Sequence, residues 1–348
     1  LPQHVKQHGY HTQSLGKVYH GASASRSLDD PPSWSAASWF GSLRFYYTQR
    51  GVEIARKVYA EKSGKRGREL DGWTDAFVQA LPTEAPDVPD SVLYDGEMTD
   101  RAIRLLYEFK ERRSLENPET PAPFFLAVGY IRPHLPFVAP QKYWDLYDPE
   151  RLDPPGNPFP PAGAPPEALH NAGEMRSYDG VPKKGPLTAK QIRRLRHGYY
   201  ACVSFVDAQI GRLIAELDRA GLGENTVVVL WGDHGFHLGE HAHWGKSTNF
   251  ENDTRSPLIV RAPRSAGAGR KIAALVELVD IYPSLCELAG LPLPPHLEGT
   301  SFVPLLRNED TPWKSAAFSQ YPRGSLMGYT MRTDRHRLTL WQSKTDPL

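Results

Sequence analysis

Short apolar runs alternate along the chain with segments in which apolar residues recur at helical spacing. The runs predict strands at 12–15, 124–130, 226–231 and 257–260. The helical spacing predicts helices at 99–113, 188–220 and 275–289. Because strands and helices alternate, the pattern predicts helices packed on a mostly parallel central sheet, that is, an α/β sandwich. The proline-rich stretch 149–186 is expected to be a surface loop.

The pattern changes near the carboxyl end and is cut short at both ends. We predict a catalytic α/β domain at 1–324, followed at 325–348 by the start of a small antiparallel-sheet subdomain. The first residues, LPQHVKQHGY, have the pattern of a helix end, with Gly9 as its cap. The last strand-like run has no partner run after it. We therefore expect the chain to be a fragment that is incomplete at its amino end.

Composition excludes several classes of partner. The 348 residues contain 41 lysines and arginines against 40 aspartates and glutamates, so no net field favours nucleic acid or an anionic membrane. No apolar run approaches the length of a membrane span.

The two cysteines, Cys202 and Cys286, lie in apolar helical contexts and are predicted to be buried core thiols. The sequence fixes no oligomeric state.

The segment GDHGFHLGEHAHWGK, residues 232–246, has the densest chemistry in the chain. It directly follows the β-branched run TVVVLW, and Gly232 and Gly235 predict a sharp turn at that strand's carboxyl end. In open α/β sheets this edge binds ligands. Asp233 and His234 stand side by side in the turn, where a carboxylate and an imidazole suit a cation. The spacing predicts a metal site.

Three further positions place basic groups after strand-like runs. Lys17 and His20 occur in GKVYHG, His134 in RPHLPF, and Lys246 at the end of the dense segment. Taken singly, each has an ordinary explanation: a loop lysine is usually solvated, and a histidine after a proline usually packs within its loop. Their common position at strand ends favours one site that binds an anion.

Five segments in this order resemble the sulfatases of the alkaline-phosphatase superfamily, and most closely the iduronate-2-sulfatase group. They are GKVYHG, GYIRPHLPF, YYACVSFVDAQIGRL, WGDHGFHLGEHAHWGKSTNFE and RSPLIVRAP. The resemblance implies an alkaline-phosphatase-like α/β/α sandwich. It also implies hydrolysis of a sulfate ester on a small molecule or oligosaccharide, such as a sulfated uronate in glycosaminoglycan degradation. By the same resemblance the protein would be periplasmic, extracellular or lysosomal.

The resemblance also assigns roles to individual residues. Asp233 and His234 would be ligands of a Ca²⁺ ion, with Mg²⁺ as the less favoured alternative. Lys17, His134 and Lys246 would contact the sulfate oxygens. Attack on an anionic sulfate ester builds further negative charge, which fixed cations and hydrogen-bond donors offset.

Other roles stay open. His20 would lie beside the nucleophile as a base or an orienting group. Trp244 could stack on a sugar ring, although buried packing is an equal expectation for a tryptophan. Either His134 or Lys246 could give the proton to the leaving alcohol.

Two family features have no counterpart in the sequence. Sulfatases carry a formylglycine, made from a cysteine or serine in a C/S-x-P/A-x-R motif, and two consecutive aspartates that bind the metal. Neither Cys202 nor Cys286 lies in such a motif, and Asp29 and Asp30 follow GKVYHG whereas the family pair precedes it. We therefore expect the nucleophile to lie upstream of Leu1, and no turnover by the 348 residues alone.

Rival hypotheses follow from the same residues. HLGEH, residues 237–241, matches the inverted zinc-protease pattern, which needs a continuous helix that Gly239 disfavours. The nearby histidines also suit a phosphodiesterase or phosphonate ester hydrolase of the same superfamily. A third hypothesis is a catalytically inactive fragment that binds anions.

Overall fold

A computed structural model describes residues 1–20, 29–41, 43–65, 78–115 and 123–346. The chain forms two compact units. The first unit comprises Leu1–Gly156 and Gly173–Leu222, and the second comprises Asn157–Ala172 and Gly223–Leu348. These units do not coincide with the predicted domains 1–324 and 325–348, and that division stays a prediction.

The first unit has two parallel strand pairs and the longest helices. Its strands are β1 (His11–Gly16), β2 (Thr83–Glu84), β3 (Phe124–Gly129) and β4 (Phe137–Val138), and its helices are α1 (Pro2–Gln7), α2 (Gln49–Ser63), α3 (Tyr94–Leu115), α4 (Gln141–Trp144), α5 (Gly173–Arg176) and α6 (Ala189–Arg219). Strand β1 pairs with β3, and β2 pairs with β4. Leu15, Met98 and Leu105 belong to the apolar core that β1 and α3 share.

The helices in this unit begin where their capping chemistry predicts. Helix α6 starts after Thr188, whose side chain accepts a hydrogen bond from the Gln191 N–H in a capping box. It ends just before Gly221, which has a φ of 75°. Helix α3 starts at Tyr94, earlier than predicted, with Asp95 and Glu97 in its first turn, where acidic groups are favourable.

The second unit is built mainly from antiparallel strands. Its strands are β5 (Val228–Trp231), β6 (His237–Leu238), β7 (Trp244–Gly245), β8 (Leu258–Arg261), β9 (Ala316–Arg323), β10 (Leu326–Thr333) and β11 (Arg337–Ser343), and its helices are α7 (Glu251–Thr254), α8 (Ile281–Leu288) and α9 (Val303–Arg307). Strand β5 pairs with β8 in antiparallel fashion, a pairing that the prediction of a mostly parallel sheet did not specify. Strands β9, β10 and β11 form the predicted carboxyl-terminal antiparallel sheet, which begins at Ala316.

One predicted helix is shorter than expected. The periodic stretch 275–289 contains a 3₁₀ turn followed by α8, which starts only at Ile281. The buried Asp280 carboxylate explains the late start, because it accepts a hydrogen bond from the Glu277 N–H (2.8 Å) and pairs with Lys314 Nζ (2.6 Å). These contacts hold the chain before α8 in a capping conformation.

The two cysteines have the predicted environment. Cys202 and Cys286 are free, buried thiols, as predicted. Among the described residues, no helix is long and apolar enough to cross a membrane.

Candidate active site

The carboxyl ends of β1 and β3 lie side by side and lead into two of the predicted site segments. Gly16 pairs with Gly129 in the parallel register, and the Lys17 N–H donates to the Gly129 carbonyl (2.8 Å). A Cβ on Gly16 would lie 2.4 Å from the Gly129 oxygen, so this close approach requires glycine. Lys17 and the loop that carries His134 therefore leave from one edge of one sheet.

A buried carboxylate fixes the backbone of the loop after β3. Asp95, in the first turn of α3, accepts hydrogen bonds from the N–H groups of Ile131 (2.9 Å) and Arg132 (3.0 Å). Arg132 is also buried, and its guanidinium donates to the carbonyls of Val138 (3.0 Å) and His134 (3.2 Å). Burial raises the pKa of Asp95, and Arg132 and the two N–H groups oppose that rise. The loop is held at both its amides and its carbonyls.

The His134 ring lies between two hydrogen-bond acceptors. Its Nδ1 is 2.7 Å from the Leu135 carbonyl oxygen, and its Nε2 is 3.3 Å from Oε1 of Glu174 in α5. A ring with a proton on each nitrogen satisfies both acceptors, whereas a neutral ring satisfies one. Both ring nitrogens of His134 therefore lie within hydrogen-bond or ion-pair distance of an oxygen acceptor.

Asp233 and His234 form an exposed pair just after β5. The His234 N–H donates to Asp233 Oδ1 (3.1 Å), and His234 Nε2 is 3.7 Å from Asp233 Oδ2. His234 Nδ1 is 2.7 Å from the Gly235 carbonyl, so a proton on Nδ1 makes that hydrogen bond and leaves the Nε2 lone pair for a cation. Gly235 is required here, since a Cβ would lie 1.8 Å from the Asn252 oxygen.

This pair fits the predicted metal site as two of its ligands. A carboxylate oxygen suits Ca²⁺ or Mg²⁺, and an oriented imidazole adds a neutral donor. In the part of the chain that the structure describes, no group of three or more His, Cys, Asp and Glu side chains is placed to hold a metal ion. Among the described residues, Asp233 and His234 are therefore the two ligands that we assign to the predicted metal site.

The remaining predicted site residues differ in exposure. His20 is exposed after β1, and Lys246 is partly exposed after β7. Trp244 lies within β7 and is only 7% exposed, so it presents little surface to a sugar ring, whereas Trp231 at the end of β5 is 48% exposed.

The predicted site residues divide between the two units. The first unit contains Lys17, His20 and His134, and the second contains Asp233, His234, Trp244 and Lys246. Their convergence on one anion stays a prediction. Asp29 and Asp30, the aspartate pair set aside on sequence grounds, bind local groups: Asp29 accepts from Trp34 Nε1 (3.2 Å), and Asp30 accepts from the Ser33 hydroxyl.

The HLGEH segment does not form the helix that a zinc protease would need. His237 is in β6, Gly239 has a φ of 108°, and His241 lies at a φ of 56°. His237 Nδ1 is 2.9 Å from Asp253 Oδ1, and its Nε2 is 3.1 Å from His241 Nδ1. These side chains bind one another, as the simpler interpretation of loop histidines in a polar pocket expects.

The segment forms a cluster of histidines that the sequence did not predict as a unit. The His243 ring is 4.3 Å from that of His170 and 5.1 Å from that of His237, centroid to centroid. Burial lowers the pKa of His243 to about 3, with further lowering by those two neighbours. Burial also lowers the pKa of His170 and of His241. The rings of His170, His241 and His243 are therefore predominantly uncharged near neutral pH.

Three residues missed by the sequence analysis contact the backbone next to Lys246. They are His170, Asp253 and Arg323. His170 is 76 residues from Lys246 along the chain, and no local pattern links the two. The only signal was a histidine within an otherwise apolar, proline-rich loop.

Two family profiles match the chain. The profile described as Sulfatase matches residues 1–291, and the profile described as N-sulphoglucosamine sulphohydrolase, C-terminal, matches residues 239–347. The chain is 33% identical to iduronate 2-sulfatase of Mus musculus, over 98% of this chain and 70% of that protein. The chain belongs to the sulfatase family. Iduronate 2-sulfatase of Homo sapiens is similar to this sulfatase to the same extent, 33% over 98% and 70%.

Solved structures show the fold of this sulfatase. Phosphonate monoester hydrolase of Agrobacterium radiobacter matches with a TM-score of 0.65 and 21% identity, over 99% of this chain and 73% of that one. A protein solved in complex with its substrate D-glucosamine-2-N,6-O-disulfate matches with a TM-score of 0.66 and 21% identity, over 98% and 74%. These matches confirm the alkaline-phosphatase-like α/β fold that the sequence predicted.

Proposed function

We propose that this sulfatase removes sulfate from a sugar, such as a sulfated uronate, with Lys17, His134 and Lys246 in contact with the sulfate oxygens. The observation that carries the proposal is the His134 ring, whose two nitrogens face the Leu135 carbonyl and the Glu174 carboxylate. The loop that carries this ring leaves from the same sheet edge as Lys17. The similarity to iduronate 2-sulfatases supports the choice of sugar.

These cations have a definite role in the reaction. A sulfate monoester is already an anion, and attack on its sulfur places more negative charge on the oxygens that do not leave. Lysine, with a reference pKa near ~10.4, keeps its charge at neutral pH. Removing one such preorganised contact typically slows an enzyme by about 10²- to 10³-fold.

His134 is the better proton donor of the two candidates. The leaving alcohol needs a proton as its bond to sulfur breaks, and a general acid works best when its pKa is near the operating pH. An imidazolium meets that condition more closely than a lysine ammonium does. Lys246 then serves as a fixed charge.

Asp233 and His234 would hold the metal ion, Ca²⁺ in preference to Mg²⁺. When bound, the ion would neutralise charge on the sulfate oxygens. The Asp233 carboxylate would supply the charge that binds the ion, and the hydrogen bond from His234 Nδ1 to Gly235 would hold the ring in a ligating direction.

The nucleophile that we propose is a formylglycine made from a residue outside these 348 positions, with His20 as its orienting neighbour. Both cysteines of the chain are buried, and burial raises the pKa of Cys202 to about 12, so its thiolate does not form at neutral pH.

The test uses the full-length protein. We expect hydrolysis of an aryl sulfate to exceed that of a bis-aryl phosphate, and we expect release of sulfate from a sulfated uronate disaccharide. His134→Ala and Lys246→Ala should each lower kcat/KM by about 10²-fold or more. Lys271→Ala, at an exposed lysine of the same chain, is the matched control. Faster turnover of the phosphate diester would favour the phosphonate and phosphodiester hydrolase alternative, and no turnover of either would favour the inactive fragment.

Metal binding is tested separately. After removal of bound ions with EDTA, Ca²⁺ should restore aryl sulfate hydrolysis better than Mg²⁺. Asp233→Asn should weaken Ca²⁺ binding by about 10- to 100-fold, measured by calorimetry. Asp334→Asn, at an exposed turn aspartate, should leave it unchanged. Equal Ca²⁺ affinity in the Asp233→Asn protein would remove Asp233 from the site.

A further inference from the structure

Two consecutive backbone carbonyls next to β7 are each held by a side chain distant in sequence. His170 Nε2 lies 2.5 Å from the Lys246 carbonyl oxygen. The Arg323 guanidinium, at the end of β9, donates to the Ser247 carbonyl (2.7 Å) and to the Glu167 carbonyl (3.2 Å). Arg323 therefore ties the carbonyl after Lys246 to the same loop that carries His170.

The hydrogen bonds of His170 fix its tautomer. The Ala172 N–H donates to His170 Nδ1 (3.1 Å), so Nδ1 carries the lone pair and Nε2 carries the proton. Nε2 then donates to the Lys246 carbonyl. A neutral ring makes both bonds, and the lowering of the pKa of His170 by burial agrees with that state.

The next residues are held in the same manner. The Thr248 N–H and hydroxyl both donate to Asp253 Oδ2, at 2.8 and 2.7 Å, and Arg337 donates to the Asn249 carbonyl (3.1 Å). Ser247 has a φ of 74°, a left-handed conformation that residues other than glycine adopt only with strain. Surrounding contacts must therefore impose the path of this segment.

We propose that His170 and Arg323 are positioning residues for Lys246. They hold the peptide groups on the carboxyl side of Lys246, and so set the direction in which its side chain leaves the backbone. The inference rests on the proposed contact between Lys246 and the substrate sulfate. A lysine has a long, flexible side chain, so a fixed starting direction is what makes its charge preorganised for the transition state.

The test compares paired variants of the full-length protein in aryl sulfate hydrolysis. His170→Phe removes the donor to Lys246 and keeps the ring volume, whereas His170→Gln keeps a donor and an acceptor. Arg323→Gln removes the charged clamp, and Arg335→Gln, at an exposed arginine of the β10–β11 turn, is the control. We expect His170→Phe and Arg323→Gln to lower kcat by about 10- to 100-fold with little change in KM. His170→Gln and Arg335→Gln should stay within about threefold of the parent.

Two further readouts separate positioning from a general loss of structure. Amide hydrogen exchange in 246–250 should rise in His170→Phe and Arg323→Gln, while exchange in α6 stays unchanged. In a Lys246→Ala background, the same substitutions should cause little further loss of activity, because the group they position is gone. The two substitutions act on different carbonyls, so either one decides the question if the other does not fold.

Each outcome has one meaning. Equal losses with and without the Lys246 side chain would overturn the positioning role and leave the proposed function intact. An unchanged kcat in both His170→Phe and Arg323→Gln, together with an impaired Lys246→Ala, would also overturn the positioning role and leave the proposed function intact. Full activity of Lys246→Ala would instead overturn the proposed contact between Lys246 and sulfate.

Discussion

The loop around His134 and the segment around Lys246 each carry a predicted sulfate contact, but the side chains that hold the backbone nearest to these two residues differ in burial and charge. In the first, the buried Asp95 carboxylate accepts hydrogen bonds from two successive backbone N–H groups, and the buried Arg132 donates to two carbonyls. In the second, His170 and Arg323 hold the two carbonyls at Lys246 and Ser247 with side-chain N–H groups. The first region is therefore fixed by two buried charged groups, and the carbonyls at Lys246 and Ser247 by a neutral ring and a partly buried cation.

The difference matters because the loss of each kind of support should have a different consequence. Asp95 is 2% exposed and has the buried Arg132 beside it, so its loss would leave several buried polar groups without partners. Arg323 is only partly buried, and water can replace it at the carbonyls that it releases. Loss of Asp95 should therefore show in stability, and loss of Arg323 in activity.

The largest expected effect is the loss of the buried carboxylate. Asp95→Ala leaves the N–H groups of Ile131 and Arg132 without their acceptor, and leaves the buried Arg132 charge without the negative charge near it. Breaking a buried charge pair from one side typically costs about 3–5 kcal/mol. We expect the free energy of unfolding, measured by urea titration, to fall by that amount.

The matched control is on the same helix. Asp100 pairs with Arg212 at 2.5 Å, but its side chain is 30% exposed. Asp100→Ala should therefore cost no more than about 1 kcal/mol. Equal losses for the two variants would mean that Asp95 supports the His134 loop no more than a surface ion pair would.

The second region should respond to acid through His243. Its pKa in the folded protein is lowered to about 3, so the unfolded chain, with a reference pKa near ~6.5, binds the proton more readily. The contribution of the neutral ring is complete above pH ~6.5 and is lost as pH falls towards 3. At pH 5.5 the loss from this residue is on the order of 1 kcal/mol. Urea titrations at pH 7.5 and pH 5.5 measure it.

His243→Phe is the discriminating variant. In the described residues, His243 Nε2 is buried and has no hydrogen-bond partner, so an apolar ring of similar shape removes an unsatisfied atom as well as the titration. At pH 7.5 the free energy of unfolding of the variant should equal or exceed that of the parent. At pH 5.5 the variant should lose less of that free energy than the parent does. His336→Phe, at an exposed turn histidine, should keep the parent's pH dependence. If His243→Phe loses as much stability as the parent between pH 7.5 and pH 5.5, that loss comes from the other groups of the cluster, which are His170, His237, His241 and Asp253.

The sequence predicted those parts of the fold that depend on neighbours along the chain. The limits of α6 follow from the capping box at Thr188 and from Gly221. The existence of β3 follows from the short apolar run FFLAVG, which ends in glycine, and β1 contains the strand-like segment predicted at 12–15. The antiparallel pairing of β5 with β8 was not predicted, because strand direction depends on how the intervening chain returns to the sheet, and residue periodicity does not encode that path.

The same limit applies to the candidate site. Lys17, His134, Asp233 and Lys246 could be named from strand-end motifs and from the resemblance to sulfatases. The side chains that hold the backbone next to these residues could not be named, because each is remote in sequence. Asp95 is 36 residues from Ile131, and Arg323 is 76 residues from Ser247. A hydrogen bond over such a separation depends on the folded backbone.

The smallest expected effect concerns the His134 side chain, which a half-exposed carboxylate supports. Glu174→Gln removes the charge 3.3 Å from His134 Nε2 and keeps an oxygen that can accept a hydrogen bond from that nitrogen. The value of kcat/KM for aryl sulfate hydrolysis should fall by about threefold, because an exposed pair contributes no more than about 1 kcal/mol. Glu150→Gln, which removes an exposed partner of Arg193, should leave kcat/KM unchanged. An unchanged kcat/KM in Glu174→Gln would mean that the charge of Glu174 does not support His134, and the His134 loop would then owe its fixed geometry to the buried Asp95 and Arg132.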